Sequence, residues 1–264
     1  MDSVFSSAFF YWKASFGRKL VLIVICATSG FPIQAYKIRL QMMSITIYEM
    51  EHSPYCIPIT QALKAFGQSY ESVAVPNWDR SEVIRLTDGA YYQVPLLKHG
   101  DKLVLESGDQ SIDIAEYVDK EFGGGRLFPA ETAGLQQILV QHIENEVEGF
   151  TFKLCDIHYL PSIEDSVGRA MSVRHKERRF GRGCVDQWRE NAAALREELD
   201  RLLGRFDQTL RHRPFLMGAE PQYVDYALFG VIGNYTYRGY NELASEHNGL
   251  RDWVARLDGF RFGV

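Results

Sequence analysis

The sequence predicts an α/β domain with a mixed sheet, followed by an all-α domain. Residues 43 to 106 carry strand-like and helix-like runs in the order strand, helix, strand, irregular segment, strand, strand. A segment rich in glycine and proline, Phe122 to Thr132, then interrupts this pattern. Beyond it, apolar residues recur at helical spacing and strand-like alternation is absent from the sequence.

The first strand and the first helix are separated by the short segment HSPYC. β-branched and aromatic residues dominate Ile45 to Met50, which predicts a strand. Ser53 is a preferred N-cap residue and Pro54 suits a first helical position, so we expect the helix to start there. Apolar residues then recur at helical spacing as far as Gly67, at Ile59, Leu63 and Phe66.

A second strand is expected within Gln68 to Val75, and a hairpin follows it. Two short apolar runs, Val94 to Lys98 and Lys102 to Glu106, flank the turn residues His99, Gly100 and Asp101. The segment from Gln110 to Gly125 predicts a helix that ends in glycines. This order of elements is typical of a thioredoxin-like domain, so we predict a thioredoxin-like α/β fold for the N-terminal domain.

The C-terminal domain is predicted to be all-α. The clearest helix is Cys184 to Leu210, in which Leu195, Leu199, Leu202 and Phe206 form an apolar stripe opposite a charged face. Further helices are expected at Gln136 to Tyr159, Tyr223 to Gly239 and Asn248 to Phe260. We therefore place the thioredoxin-like domain at residues 43–125, a linker at 126–132 and the helical domain at 133–264.

Composition excludes several classes of function. The 264 residues are 46% hydrophobic and 24% charged, which is typical of a globular protein. The net charge of −5 offers no overall basic surface for nucleic acid. The four cysteines, Cys26, Cys56, Cys155 and Cys184, form no C-x-x-C pair and no zinc-ligand spacing with histidine, which predicts a metal-free protein in a reducing compartment.

Residues 1–42 differ from the rest because they are basic and partly apolar. The run from Lys19 to Gly30 resembles the apolar region of a signal peptide, but it is too short to span a bilayer. Three interpretations stay open: a targeting segment, a membrane-associating arm, or translated upstream sequence with the true start at Met42 or Met43. The third is favoured because the strand pattern begins directly after Met43.

The position of Ser53 is chemically informative. Unpaired backbone N–H groups and the helix dipole stabilise an anion at a helix N-terminus, including a thiolate. A sulfur atom bound beside Ser53 would therefore ionise more easily. The competing interpretation is that Ser53 is a structural N-cap with no other role.

Four motifs in this order resemble those of the glutathione transferase superfamily: SPYC after the first strand, Val94-Pro95, the segment Gln110 to Asp119, and Pro214 to Gly230. The resemblance covers Met43 to about Phe262. It implies glutathione as co-substrate, a small hydrophobic electrophile as the second substrate, a homodimer and a cytoplasmic location. It implies neither a nucleic-acid partner nor stable membrane insertion.

The resemblance also implies ligand contacts for particular residues. In the family the proline of the Val-Pro motif is cis and the preceding residue binds the cysteinyl backbone of glutathione, a role we carry onto Val94 and Pro95. An acidic residue or glutamine followed by serine holds the γ-glutamyl group. Counting forward from Pro95 places this pair at Glu106 and Ser107, whereas the register of the following helix places it at Gln110 and Ser111. We choose Gln110 and Ser111 because the helix fixes where backbone donors point.

The predicted function is a glutathione transferase in which Ser53 is the catalytic residue, donating a hydrogen bond to the sulfur of glutathione. Tyr48 and Tyr55 are the next candidates for this donor. Two alternatives stay open: a non-catalytic glutathione-binding or protein-interaction module, and a thiol-disulfide reductase. The reductase is disfavoured because a serine occupies the position of the redox cysteine, and Cys56 stands at a position that is commonly a small apolar residue.

Some features depart from the family or concern specificity. Pro58 replaces a frequent basic residue and is expected to distort the first helix, and Gln222 stands where a Ser or Thr cap is usual before Asp225. The segment Arg174 to Trp188 resembles the β-etherase-like branch, which would make ether or aryl compounds the substrates. Aromatic residues that could line a substrate pocket are Tyr55, Tyr159, Trp188, Tyr235 and Tyr237, whereas His52, His99 and His158 are interpreted as surface or loop residues.

Overall fold

A computed structural model describes residues 44–107 and 112–263 in full, and residues 13–16 and 19–22 by their backbone. The chain divides into two compact units, Met1–Met43 and Ser44–Val264. In the first unit, strands β1 (Lys13–Phe16) and β2 (Lys19–Leu22) pair antiparallel. The remainder of the segment that resembles a signal peptide lies outside the described residues.

The second unit begins with a four-stranded mixed sheet in the order β4-β3-β5-β6. Its strands are β3 (Ile45–Glu49), β4 (Glu71–Ala74), β5 (Leu96–His99) and β6 (Lys102–Val104). β4 runs parallel to β3, whereas β5 pairs antiparallel with both β3 and β6. His99 pairs with Lys102, so this residue belongs to the strand and the turn of the hairpin is shorter than predicted.

Three helices accompany the sheet: α1 (Cys56–Ala65), α2 (Ser81–Leu86) and α3 (Asp113–Val118), the last extended by a π-helical turn at Asp119–Gly123. β3 is buried on both of its faces. Ile45 and Ile47 pack in the main core with α1 and α3, while Tyr48 on the opposite face packs in a second cluster with Val83 and Leu96.

The remaining elements of the described chain are helices, joined by loops. The elements are α4 (Ala133–His142), α5 (Glu148–Ser162), α6 (Ser166–Phe180), α7 (Cys184–Glu190), α8 (Ala192–Leu210), α9 (Tyr223–Tyr235) and α10 (Asn248–Gly259). A π-helical turn, Ile143–Val147, joins α4 to α5. The helix predicted over Cys184 to Leu210 is two helices, because the chain breaks at Asn191. The apolar stripe of α8 is buried as expected, apart from the partly exposed Leu195.

Helix α9 lies at the centre of the core, and a buried carboxylate fixes its start. Asp225 accepts hydrogen bonds from the backbone N–H of Leu216 at 2.9 Å, the backbone N–H of Gln222 at 3.1 Å and the indole of Trp253 at 3.0 Å. The helix therefore begins at Tyr223 although Gln222 replaces the usual Ser or Thr. The predicted fold class, a thioredoxin-like α/β domain followed by an all-α domain, is confirmed. No helix in the described part of the chain is long and apolar enough to cross a bilayer.

Candidate active site

A cleft of about 680 Å³ opens between the sheet domain and the helical domain. One wall comes from the sheet domain and includes Ser53, Tyr91, Val94 and Glu106. The other wall comes from helices α5, α6 and α9. Three of the predicted site residues, Ser53, Val94 and Pro95, line this cleft together.

Ser53 lies just before α1 and its side chain is almost fully buried. The helix begins at Cys56 rather than at Pro54, because a turn at Pro54 and Tyr55 precedes it. The carbonyl of Ser53 nevertheless accepts the N–H groups of Cys56 and Ile57, each at 3.1 Å. Its hydroxyl oxygen accepts the N–H of Tyr55 at 3.3 Å. Ser53 thus bonds to the first turn as an N-cap does, and it also faces the cleft.

Cys56 is buried beside Ser53. Burial raises the pKa of the Cys56 thiol to about 12, and hydrogen bonds from the Ser53 side chain and the Met50 backbone offset only part of this effect. The sulfur is therefore protonated at neutral pH and shielded from solvent. These properties agree with the interpretation of Cys56 as an apolar packing residue.

Pro58 stands inside α1 without breaking it, since the helix continues to Ala65. Proline has no backbone N–H, so the carbonyl of Pro54 receives no helical hydrogen bond from it. Gly230 of α9 packs at this place: a Cβ atom on Gly230 would lie 2.2 Å from the carbonyl oxygen of Pro54 and 2.6 Å from Cγ of Pro58. The central helix of the second domain therefore contacts the first turn of the helix that follows Ser53.

The segment before Ser53 is also held by α9 and by the short helical turn Tyr237–Gly239 that follows it. The side-chain amide of Asn234 donates to the carbonyl of His52 at 2.7 Å, and the hydroxyl of Tyr237 lies 3.1 Å from the carboxylate of Glu51. His52 lies in the turn between β3 and α1, as the loop interpretation predicted, but it is not a surface residue, because its imidazole is buried and its ring centre lies 3.9 Å from that of Tyr159. Burial, followed by nearby cations, lowers the pKa of His52 to about 4, so its ring is neutral at neutral pH.

The Val94-Pro95 peptide bond is cis, as the resemblance implies. Both residues line the cleft immediately before β5 begins at Leu96. The hydroxyl of Tyr91 donates to the carbonyl of Pro95 at 3.4 Å, which ties the preceding segment to this bend. The Val-Pro motif and Ser53 therefore share one wall of the cleft.

Gln110 and Ser111, the residues chosen for the γ-glutamyl group, lie outside the described residues. Helix α3 begins at Asp113, three residues after Gln110, where the predicted helix began. The carboxylate of Glu106 accepts the N–H of Asp113 at 2.7 Å, and Ser107 donates from both its backbone N–H and its hydroxyl to the carboxylate of Asp113. Glu106 also lines the cleft, and burial raises its pKa to about 7. The choice between the two pairs stays a prediction.

Of the five aromatic residues expected at a substrate pocket, Tyr55 lines the cleft. Tyr159 and Tyr237 pack around His52, whereas Trp188 and Tyr235 are core residues. The opposite wall is instead mainly polar and charged. Its residues are Glu148, Phe152, Asp156, His175, Lys176, Arg179 and Asn234.

Sequence reasoning missed these charged residues, although one signal for them was present. Three of them, His175, Lys176 and Arg179, belong to the basic run Arg174 to Arg179, in which one acidic residue interrupts the basic side chains. On the sheet-domain side, Arg80 also lines the cleft. Its Nη2 contacts Asn77 at 3.2 Å, while its Nη1 is buried and has no hydrogen-bond partner among the described residues.

Comparison with known proteins identifies the two domains separately. A family model described as the glutathione S-transferase N-terminal domain matches residues 47–126, and one described as the glutathione S-transferase C-terminal domain matches residues 186–256. A protein from Nicotiana tabacum described as a probable glutathione S-transferase is 28% identical over 90 residues. That match spans 34% of this chain and 39% of the tobacco protein.

Solved structures share the fold over most of the chain. A theta class glutathione S-transferase from Xanthomonas axonopodis pv. citri with glutathione bound is 18% identical, with a TM-score of 0.55 over 81% of this chain and 92% of that one. A glutathione S-transferase from Pseudomonas fluorescens Pf-5 is 16% identical, with a TM-score of 0.58 over 81% and 94% of the two chains. The match to both family models, in this order and on this fold, shows that the chain belongs to the glutathione S-transferase superfamily.

Proposed function

We propose that this chain is a glutathione transferase that uses Ser53 to activate the thiol of bound glutathione. The observation that carries the proposal is the position of Ser53, which is buried at the first turn of α1 and lines the same cleft as the cis Val94-Pro95 bend. The second substrate is an electrophile that enters between the two domains. Ether or aryl compounds, a homodimer and a cytoplasmic role in detoxification belong to this proposal through the family resemblance.

Ser53 has a specific chemical task. A thiol with an ordinary pKa near 8.5 is mostly protonated at neutral pH, whereas the thiolate is the nucleophile. The Ser53 hydroxyl would donate a hydrogen bond to the sulfur and favour its charged form, and the positive end of the helix dipole would add to this effect. Ser53 forms no covalent bond with the substrate in this mechanism.

The rest of the cleft offers groups that suit a charged tripeptide. The backbone of Val94 would pair with the cysteinyl residue, and Gln110 and Ser111 would hold the γ-glutamyl group. The free Nη1 of Arg80 supports binding of a carboxylate, because a buried guanidinium N–H without a partner gains from an anionic acceptor. A non-catalytic module is the second candidate, since the same contacts could bind glutathione without turnover. A reductase is disfavoured by Ser53 and by the buried, protonated Cys56.

The test compares wild type with Ser53→Ala in three measurements: glutathione affinity by calorimetry, the pKa of the bound thiol by ultraviolet absorbance, and conjugation of chlorodinitrobenzene. Ser53→Ala is expected to slow conjugation and raise the thiol pKa while affinity stays within a few-fold. Tyr55→Phe removes the hydroxyl of the alternative donor and should leave the rate and the thiol pKa unchanged if Ser53 is the donor. If wild type binds glutathione and conjugates no electrophile, the non-catalytic module is supported. If Ser53→Ala keeps the thiol pKa and the rate, the donor is a different residue.

A further inference from the structure

The helical wall of the cleft carries charged side chains where an apolar surface was expected. Among its residues from α5 and α6, Phe152 alone is apolar, and it stands with Glu148, Asp156, His175, Lys176 and Arg179. A site for purely apolar compounds would leave these charges desolvated without compensation when a ligand binds, which is unfavourable. The substrate that fits this wall therefore has polar or charged character of its own.

Lys176 and Asp156 neutralise each other on this wall. The Nζ atom of Lys176 lies 2.7 Å from Oδ2 of Asp156, and both side chains are largely buried. The ammonium group also lies 4.8 Å from the ring centre of Phe152, so a cation–π contact supports its position. The two opposite charges largely cancel, so this pair attracts an anion less than an unpaired cation does.

Arg179 is the cation of this wall that stays unneutralised. Within the described part of the chain it has no salt-bridge partner, and its guanidinium lies 5.1 Å from the ring centre of Phe180. Its charge acts on the cleft-lining Tyr55, whose pKa is raised by burial and by Glu148 and Glu144 and is lowered by Arg179. Glu148 is an acidic residue of the same wall, and burial raises its pKa to about 7, so it carries only part of a negative charge at neutral pH. Arg179 thus lines the cleft as a cation that forms no salt bridge with any carboxylate of the described residues.

We propose that the electrophile carries an anionic group, a carboxylate or a similar oxyanion, which is bound by Arg179 while the reacting carbon faces the sulfur near Ser53. This inference rests on the proposed function and names the substrate class for the same site. Arginine suits the role because its planar guanidinium binds carboxylates through two parallel hydrogen bonds. His175, exposed beside it on α6, provides a second donor at the rim.

In the reaction the glutathione thiolate attacks the electrophilic carbon, a C–S bond forms, and the bond to the leaving group breaks with its electron pair. For a chloronitrobenzoate the leaving group is chloride, and the thiol proton passes to solvent. The carboxylate takes no part in the bond changes. It positions the ring by its contact with Arg179, and it stays on the conjugate that is released.

Binding of two stable conjugates tests the proposal without requiring turnover. The probes are S-benzylglutathione and S-(carboxybenzyl)glutathione, the latter as its para and meta isomers, and the readout is the ratio of the neutral to the carboxylated Kd by calorimetry. For wild type we expect at least one isomer to bind about tenfold more tightly than the neutral probe, as for a hydrogen bond to a charged group. In Arg179→Gln this ratio should fall to about 1.

The matched control is Arg178→Gln, which removes the neighbouring cation of the same helix outside the cleft lining and should keep the wild-type ratio. A ratio near 1 in wild type for both isomers, with tight binding of all probes, overturns the inference and leaves the proposed function standing. If Arg179→Gln and Arg178→Gln lower the ratio equally, the inference is also overturned, because the preference for the carboxylated probe then comes from the overall positive charge of the helix and not from Arg179. Absence of binding for all probes contradicts the proposed function and this inference together.

Discussion

The side-chain amide of Asn234 donates a 2.7 Å hydrogen bond to the backbone carbonyl of His52, a residue 182 positions earlier in the chain. Asn234 belongs to α9 of the helical domain, and His52 directly precedes Ser53. Both residues are buried. The position of the candidate catalytic serine therefore depends on a contact that crosses from one domain to the other.

Replacing Asn234 should affect both stability and catalysis. Asn234→Ala leaves the buried carbonyl of His52 without its donor, which should lower the free energy of unfolding by about 1 to 3 kcal/mol. The segment carrying Ser53 should also loosen, so the conjugation rate should fall. Urea unfolding and steady-state kinetics measure the two effects. Thr236→Val is the control, because it removes a hydrogen bond from the residue that caps the C-terminus of α9 to the carbonyl of Ile232. Equal effects of both changes would argue against a link to Ser53.

The contact at Gly230 predicts a strong steric effect. Gly230→Ala places a Cβ atom 2.2 Å from the carbonyl oxygen of Pro54, so α1 and α9 must separate. Overpacking of this kind typically lowers the free energy of unfolding by about 1 to 3 kcal/mol. We expect a value near the upper end, because the carbonyl oxygen of Pro54 is a backbone atom and moves less easily than a side chain. Gly204→Ala is the matched control on α8, where the nearest atom to the new Cβ is 3.9 Å away. That change should be neutral or stabilise the helix by up to about 1 kcal/mol. Equal melting temperatures for both variants would contradict the prediction.

The γ-glutamyl contact can be assigned with two serine variants. We predict that Ser111→Ala weakens glutathione binding about tenfold or more, through loss of a hydrogen bond to a charged group. Ser107→Ala should change the affinity little, since the hydroxyl of Ser107 already donates to Asp113 at 2.7 Å. Calorimetry on the two variants decides between the pairs. The opposite ranking would assign the role to Glu106 and Ser107.

A cysteine at position 53 should change the type of reaction. Disulfide reduction requires a protein thiolate, and the helix N-terminus should lower the pKa of a new thiol there. The thiolate of Ser53→Cys is expected to attack the glutathione sulfur of a mixed disulfide between glutathione and a small thiol, and the small thiol leaves. A second glutathione then attacks the protein–glutathione disulfide, which releases oxidised glutathione and restores the protein thiolate. Reduction of hydroxyethyl disulfide measures the activity. Ser162→Cys places an exposed thiol at the C-terminal end of α5 and should stay inactive. Similar activity of the two would show that position 53 has no special effect.

The pH dependence of stability should depend on Glu148. Burial raises its pKa from 4.5 to about 7 in the folded chain. The folded state therefore keeps a proton that the unfolded state has released, and the free energy of unfolding falls as pH rises from about 5 to about 7. At about 1.4 kcal/mol per pKa unit, this group contributes up to about 3 kcal/mol. Glu148→Gln should reduce this slope without abolishing it, because burial also raises the pKa values of Glu106 and Glu144 to about 7, and urea unfolding across that range measures the change. Glu146→Gln, an exposed position nearby, should leave the slope unchanged.

The order of elements could be predicted from the sequence because local patterns determine it. The strand at Ile45–Glu49, the hairpin of β5 and β6 and the stripe of α8 all follow from periodicity and turn residues. The burial of Tyr48 could not be predicted in this way. A strand with one buried face would expose it, but α2 and the segment around Tyr91 cover the second face of the sheet.

The candidate site was predictable only in part, for a similar reason. Ser53 and Val94-Pro95 could be predicted because each belongs to a short sequence motif that can be recognised without knowing which distant residues contact it. The burial of His52 and the roles of Asn234 and Arg179 depend on contacts between residues far apart in the chain. The start of α3 was also missed, because the side chain of Glu106 bonds to the first turn from seven residues upstream of Asp113. Single-sequence patterns carry no information on such pairings.

The close contact between Gly230 and the Pro54 carbonyl restricts which helical domains can be recombined with this sheet domain during evolution. A recombination event that joined this sheet domain to the helical domain of a distant relative would succeed only if the incoming helix also had glycine at that place. Pro58 and Gly230 form such a pair from opposite domains, since Cγ of one occupies the space that a side chain on the other would need. Across descendants of this chain, substitutions at these two positions should therefore be correlated, and the domains should evolve as one unit.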